Sequence, residues 1–237
     1  MLDSLGGQTA LVTGAGQGIG RAIAVEMARQ RASAVAVADR NAQTAVLTAE
    51  SVRAAGAKSE VIVCDLRVRD DIGTMVTRAT ERFDGLDVLV DNAGVIESTV
   101  TTDHDRAVDS LSEEVWDAVY EVNLKAAWLT TKFAAPYLRR SPRGPAIVTA
   151  VDLAPVRCNC FCPGVIDTPL ARGHFAAGED RDAREREMTA PQLVDRLGRP
   201  EEVARLACFL ASDSAAFITG AAYVIDGGAL AWRGVKG

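Results

Sequence analysis

Thr9-Ala10-Leu11-Val12-Thr13-Gly14-Ala15-Gly16-Gln17-Gly18-Ile19-Gly20 joins an apolar, β-branched run to a glycine-rich turn, and a stretch with helical character follows from Ile19 to Arg29. Thr9–Thr13 reads as a buried strand and Ile19–Arg29 as the helix that returns over it. Glycines between the two permit a tight turn, let backbone N–H groups approach a pyrophosphate closely, and let the helix pack near the strand. The helix N-terminus adds a partial positive charge. Glycine-rich turns also arise for conformational reasons alone; the strand before and the helix after are what make this one specific.

Working outward, short β-branched runs alternate with longer helical stretches, the pattern of βα units on a parallel sheet. The expected strands are 9–13, 34–38, 60–64, 87–90, 146–149, 156–161 and 221–225, and helices are expected at 19–29, 42–55, 68–83 and from a cap at Ser112 to about Arg140. Gly56 and Asp84-Gly85 supply turns. Pro169–Arg196 forms a charged excursion whose Glu179–Glu187 run suits a solvated helix face or a substrate lid.

The 237 residues carry a net charge of −6 with no basic block, which argues against nucleic acid or an anionic membrane as partner. Neither a leader-like N-terminus nor an apolar run long enough to span a bilayer is visible, so a cytoplasmic protein is expected. Five cysteines fit reduced thiols better than a disulfide framework. Cys158, Cys160 and Cys162 alternate, which is expected of a buried strand turning three small side chains to one face rather than of a metal site. His104 and His174 are expected in solvent-facing loops, and Trp116 and Trp128 in packing or subunit contacts.

Asp39 closes the second strand ~20 residues after the glycines, where a carboxylate accepts hydrogen bonds from ribose hydroxyls and repels a 2′-phosphate. Arg40 softens that repulsion, but Gln17 adds no positive charge to the turn, so NAD is expected over NADP.

The glycine turn, Asp65 after the third strand, Asp91-Asn92-Ala93-Gly94 after the fourth, Asn123 in the next helix, Pro163-Gly164 and Thr168 after the sixth strand, and Asp226-Gly227-Gly228 near the end occur in that order. The series resembles the short-chain dehydrogenase/reductase family over nearly the whole chain. The resemblance implies one Rossmann-type α/β domain over 1–237, a doubly wound parallel sheet of about seven strands. It implies an oxidoreductase moving hydride between a nicotinamide cofactor and a secondary alcohol or ketone, and a homotetramer. It places Gly14, Gln17, Gly18, Ile19 and Gly20 at the pyrophosphate, Asp39 and Arg40 at the adenosine ribose, and Asp65 at the adenine amino group with Leu66 beside it. Asn92, Ala93 and Gly94 then wall the cofactor ribose, while Ile166 and Thr168, after the Pro163-Gly164 turn, hold the nicotinamide carboxamide. Asp91 stands where the family has Asn. Asn123 matches the family's relay Asn, which holds a water.

The family's Ser, Tyr and Lys are missing. Tyr120, Tyr137 and Tyr223 are followed four residues later by Leu124, Ser141 and Gly227, and Val148-Thr149-Ala150 runs almost directly into Val156-Arg157-Cys158. A Tyr near pKa 10 needs a neighbouring ammonium to act as a base at neutral pH, and none of that apparatus is written here. Roughly 30 residues, the size of a loop plus a crossover helix, are absent near 150–152. Neighbouring parallel strands need a crossover of about a dozen residues, so a shorter link leaves the fifth and sixth strands uncovered on one side. Two readings are open. Either the working polypeptide has a further stretch here, so that Ala150 is not bonded directly to Val151, or the chain is a non-catalytic NAD-binding or scaffolding protein that has lost the relay. The intact state of every other motif favours the first.

Overall fold

A computed structural model describes residues 5–101, 110–148, 156–176 and 181–231. Seven strands form one wholly parallel sheet: β1 (Thr9–Thr13), β2 (Ala34–Asp39), β3 (Lys58–Val63), β4 (Val88–Val90), β5 (Ala146–Val148), β6 (Arg157–Pro163) and β7 (Ala222–Ile225). Their order across the sheet is β3-β2-β1-β4-β5-β6-β7, so the winding reverses between β1 and β4. Because both faces of β1, β2, β4 and β5 are covered, their residues are apolar in unbroken runs rather than alternately.

One face carries α1 (Gly18–Arg29), α2 (Ala42–Ala54) and α9 (Pro200–Ala211), which pack Ile23, Met27, Val52 and Leu210 on Val12, Val35, Val37 and Val90. The other carries α3 (Arg69–Phe83) and α6 (Ala126–Leu138), which pack Ile72, Met75, Leu129 and Leu138 on Leu11, Ala36, Leu89 and Ile147. α4 (Glu97–Val100) and α5 (Glu113–Tyr120) lead into α6, while α7 (Pro169–Ala176) and α8 (Arg181–Thr189) form the charged excursion. No helix among the described residues is long and apolar enough to cross a membrane.

Several expectations need correction. The helix from Ser112 to about Arg140 is not uniform: Glu121–Lys125 is a π-helical turn between α5 and α6. α9 was not read from the sequence, although Pro200 at its first position and Glu201 and Glu202 in its first turn are helix-start signals. Its far end is closed by the half-buried Arg157, whose guanidinium donates to the carbonyls of Leu210, Ala211, Ser212 and Ala215 at 2.7–3.1 Å. His174 lies in α7 and is half-buried, edge-on to the Phe175 ring at 6.5 Å, rather than in an open loop. His104 lies outside the described residues.

The cysteine strand is buried only at its start. Cys158 is buried, Cys160 is half-buried and Cys162 is exposed, and beside them on β7 Ala222 and Val224 are exposed too. The reason is topological. β5 and β6 are parallel neighbours with Val148 opposite Asn159, yet only the eight residues 149–156 join them. No described helix crosses this side of β6 and β7. Residues 149–155, where a break in the chain is expected, lie outside the described residues.

Candidate functional site

At the carboxyl ends of the strands, where the winding reverses, the loops after β1, β2, β3, β4 and β6 enclose a cleft of about 540 Å³. Its floor is the glycine turn. Gly14 has φ +62° and its α-hydrogen faces Ala93, so that an added Cβ would stand 2.8 Å from Ala93 Cα. Gly18, at φ +56°, lies against Thr168. Only glycine occupies both positions without strain. α1 then starts at Gly18 with no side-chain cap and no acid in its first turn, so its leading N–H groups are left for a ligand in the cleft. By contrast α2 is capped by Asn41 and α5 by Ser112.

Hydrogen bonds tie the turn to its neighbours. Thr13 Oγ1 accepts the N–H groups of Asn92 and Ala93 at 3.1 and 3.2 Å, and Asn92 Nδ2 donates to the carbonyls of Thr13 and Gly14 at 3.0 and 3.3 Å. Asn92 is therefore a brace between the β1 and β4 loops. Asp39 braces too: Oδ2 accepts from Gly16 N–H at 2.8 Å and Oδ1 from Asn41 N–H at 2.9 Å. Its carboxylate stands at the cleft wall with Arg40 exposed beside it.

Asp65 lies at the same end. Arg67 grips its carboxylate through Nε at 3.0 and 3.1 Å, through a further guanidinium nitrogen, and through its backbone N–H at 3.0 Å. Those bonds hold the Asp65 carboxyl below the usual carboxylate range. Asp91 behaves oppositely. Part of the residue reaches the surface, but its carboxyl is enclosed against Thr131, and burial pushes it up to about 8. Neutral at pH 7, it presents an O–H donor beside an acceptor oxygen, much as an Asn amide, with two N–H donors, pairs a donor with an acceptor at this position in the family. Across the cleft Asn123, in the π-helical turn, accepts from Val95 N–H and donates to Val95 C=O, both at 2.8 Å, which locks the loop after β4.

Of the residues singled out in the sequence, Gly14, Gln17, Gly18, Ile19, Gly20, Asp39, Arg40, Asp65, Leu66, Asn92, Ala93, Gly94, Asn123 and Thr168 line the cleft. Pro163, Gly164 and Ile166 stand behind it. Pro163 ends β6 in the open, Gly164 packs on the Asp226 backbone, and Ile166 is buried and bridges to Gly198. Val95, Ile96 and Leu170 give the cleft an apolar end, whereas Phe175 is wholly buried in the core and takes no part. Sequence reasoning passed over Thr13 and Arg67. Thr13 had a readable signal as the hydroxyl closing the strand before the turn; Arg67 had none beyond its nearness to Asp65.

Among the described lining residues there is no Tyr and no Lys. Tyr120 is on the outer side of α5, Tyr137 stacks under Arg140 at 5.2 Å, and Tyr223 packs on the core from β7.

Comparison with known proteins agrees with this geometry. Residues 8–154 match the family model for short chain dehydrogenase, and residues 146–229 match that for enoyl-(acyl carrier protein) reductase. The chain is 29% identical over 256 residues to 3beta-hydroxysteroid dehydrogenase 2 of Eggerthella lenta, covering 94% of this chain and 95% of that protein. It is 32% identical over 256 residues to L-rhamnose 1-dehydrogenase (NAD(P)(+)) of Azotobacter vinelandii, covering 93% and 96%. The crystal structure of a short-chain type dehydrogenase/reductase from Mycobacterium marinum superposes with a TM-score of 0.83 at 27% identity, covering 96% of this chain and 97% of that one. The chain belongs to the short-chain dehydrogenase/reductase family of oxidoreductases, whose substrates are of the alcohol and ketone type.

Proposed function

We propose that the protein is an NAD-dependent oxidoreductase of a secondary alcohol or ketone, and that its proton-relay segment stands between Thr149 and Val156 in the working polypeptide. The observation that carries the proposal is a glycine-floored cleft at the reversal of the winding, beside a sheet face that no described helix covers. The glycine turn, the uncapped α1 N-terminus and the carboxylate at the end of β2 fit a dinucleotide. In the same molecule β6 and β7 lack a covering helix on one side among the described residues. Alignment supports the second half. The match to the steroid dehydrogenase runs over 256 residues but uses 94% of the 237 here, or about 223, so about 33 of its positions have no counterpart. The two family matches meet at 146–154, around the short link.

In this proposal the first N–H groups of α1, with Gly14, Gly18 and Gly20, hold the pyrophosphate. Asp39 takes the ribose hydroxyls, and its charge disfavours a 2′-phosphate. Thr168 serves the carboxamide, with Ile166 buried behind it, and Asn92, Ala93 and Gly94 serve the second ribose. A bound nicotinamide supplies hydride chemistry at the alcohol carbon. Asn123 fixes the Val95 backbone and so the position of the substrate wall, while the apolar Val95, Ile96 and Leu170 suit a hydrophobic or cyclic alcohol. Exposed Trp116, Tyr120, Leu124 and Trp128 on α5, α6 and the π-helical turn between them suit a subunit contact, in keeping with a homotetramer.

The test is titration with NADH and NADPH, followed by a screen of secondary alcohols for NADH formation. Tighter NADH binding and turnover by the natural polypeptide are expected. Binding without turnover by that polypeptide would favour the non-catalytic reading, to which the absent Tyr and Lys point.

A further inference from the structure

The Asp65–Arg67 pair gives the purine end of the cleft a property that the family resemblance does not imply; the inference rests on the dinucleotide reading above. A carboxylate offers about four acceptor positions. At Asp65 three N–H groups of Arg67 already engage it: the backbone N–H on Oδ1, Nε–H shared between both oxygens, and a terminal guanidinium N–H on Oδ2. An adenine amino group is a donor only, and beside Arg67 it finds about one acceptor position left on a carboxylate whose charge Arg67 already neutralises. The remaining guanidinium N–H groups of Arg67, whose side chain is half-exposed and lines the cleft, are donors as well. They match the carbonyl and ring nitrogen of an oxo-purine edge, a pairing Arg makes with planar, two-point geometry.

We propose that Arg67 is a specificity-determining residue for the base of the dinucleotide: by engaging Asp65 it removes the selection for a 6-amino purine and admits a 6-oxo purine equally well. Arg67 acts on adenine through Asp65, as a positioning residue, and on the oxo-purine directly. Removing the side chain frees the carboxylate, which then selects the amino group and repels the oxo group. Arg67→Lys keeps the charge but not the fork that spans both oxygens, so it lies between the two.

The experiment is equilibrium titration of the protein, Arg67→Ala and Arg67→Lys with NADH and with its hypoxanthine analogue. For the unaltered protein the two dissociation constants are expected to agree within about twofold. For Arg67→Ala the analogue is expected to bind more weakly than NADH by about tenfold, the worth of one hydrogen bond to a charged acceptor. A preference for NADH above fivefold in the unaltered protein, or the same ratio in Arg67→Ala as in the parent, would overturn the inference. A ratio in Arg67→Lys equal to the parent's would also overturn it, since charge alone would then suffice. If the unaltered protein binds neither dinucleotide, the dinucleotide reading itself fails, a result distinct from all of these. Arg67 is on the surface and bonds only within its own loop in the contacts described, so melting curves of both variants should overlay the parent's.

Discussion

At the scale of single residues, Asp39 at the cleft wall and the enclosed carboxyl of Asp91 give the sharpest predictions. Asp39 is expected to set the cofactor preference. Asp39→Ala should narrow the difference between NADH and NADPH binding, and should cost about 1–2 kcal/mol of stability, because the N–H groups of Gly16 and Asn41 lose their acceptor. Equal binding of both cofactors by the unaltered protein would refute this. Asp91 governs pH dependence. With its folded value raised to about 8 from an ordinary 3.8, the native protein keeps a proton that the unfolded chain releases. The folded state binds more protons over that interval, so the contribution of Asp91 to stability is full below about pH 4 and is lost as pH rises through about 8. Asp91→Asn should abolish that slope and make the protein more stable than the parent at pH 8. Urea midpoints measured from pH 5 to 9 check this, and parallel curves for both proteins would contradict it.

At the scale of elements, the glycine turn and the bare sheet face matter most. Gly14→Ala forces a side chain into φ +62° and to within 2.8 Å of Ala93 Cα, at a cost of about 1–3 kcal/mol. The turn must shift, so dinucleotide affinity should fall with the melting temperature, and an unchanged affinity would show that the turn does not hold the ligand. On the bare face, the 237-residue chain should give up Cys162, and more slowly Cys160, to a maleimide before denaturation. Buried Cys64, Cys158 and Cys208 should remain unreacted. In a polypeptide that carries a crossover helix, Cys160 and Cys162 should be protected as well. β1, β2, β4 and β5 were legible because their apolar runs agree with burial on both faces, and α1 to α3 because their helical periodicity agrees with burial of one side. The π-helical turn at Glu121–Lys125 was not, because one extra residue per turn leaves the apolar spacing almost unaltered. Cys160 and Cys162 were misread for another reason: a strand's composition does not reveal whether a helix lies over it. The Asp65–Arg67 grip depends on loop conformation, to which periodicity is blind.

At the scale of the whole molecule, the cleft formed at the reversal of the winding adjoins a sheet whose sixth and seventh strands lack cover on one side among the described residues. We propose that the working polypeptide is longer than 237 residues at the β5–β6 link, and that the added stretch brings the proton relay. Intact mass spectrometry of the protein isolated from its natural source tests this most directly. The predicted mass exceeds 25.1 kDa by that of roughly 30 residues, a loop and a crossover helix. A mass of 25.1 kDa would contradict the claim, and would mean that eight residues make the link and that the chain binds its dinucleotide without a relay.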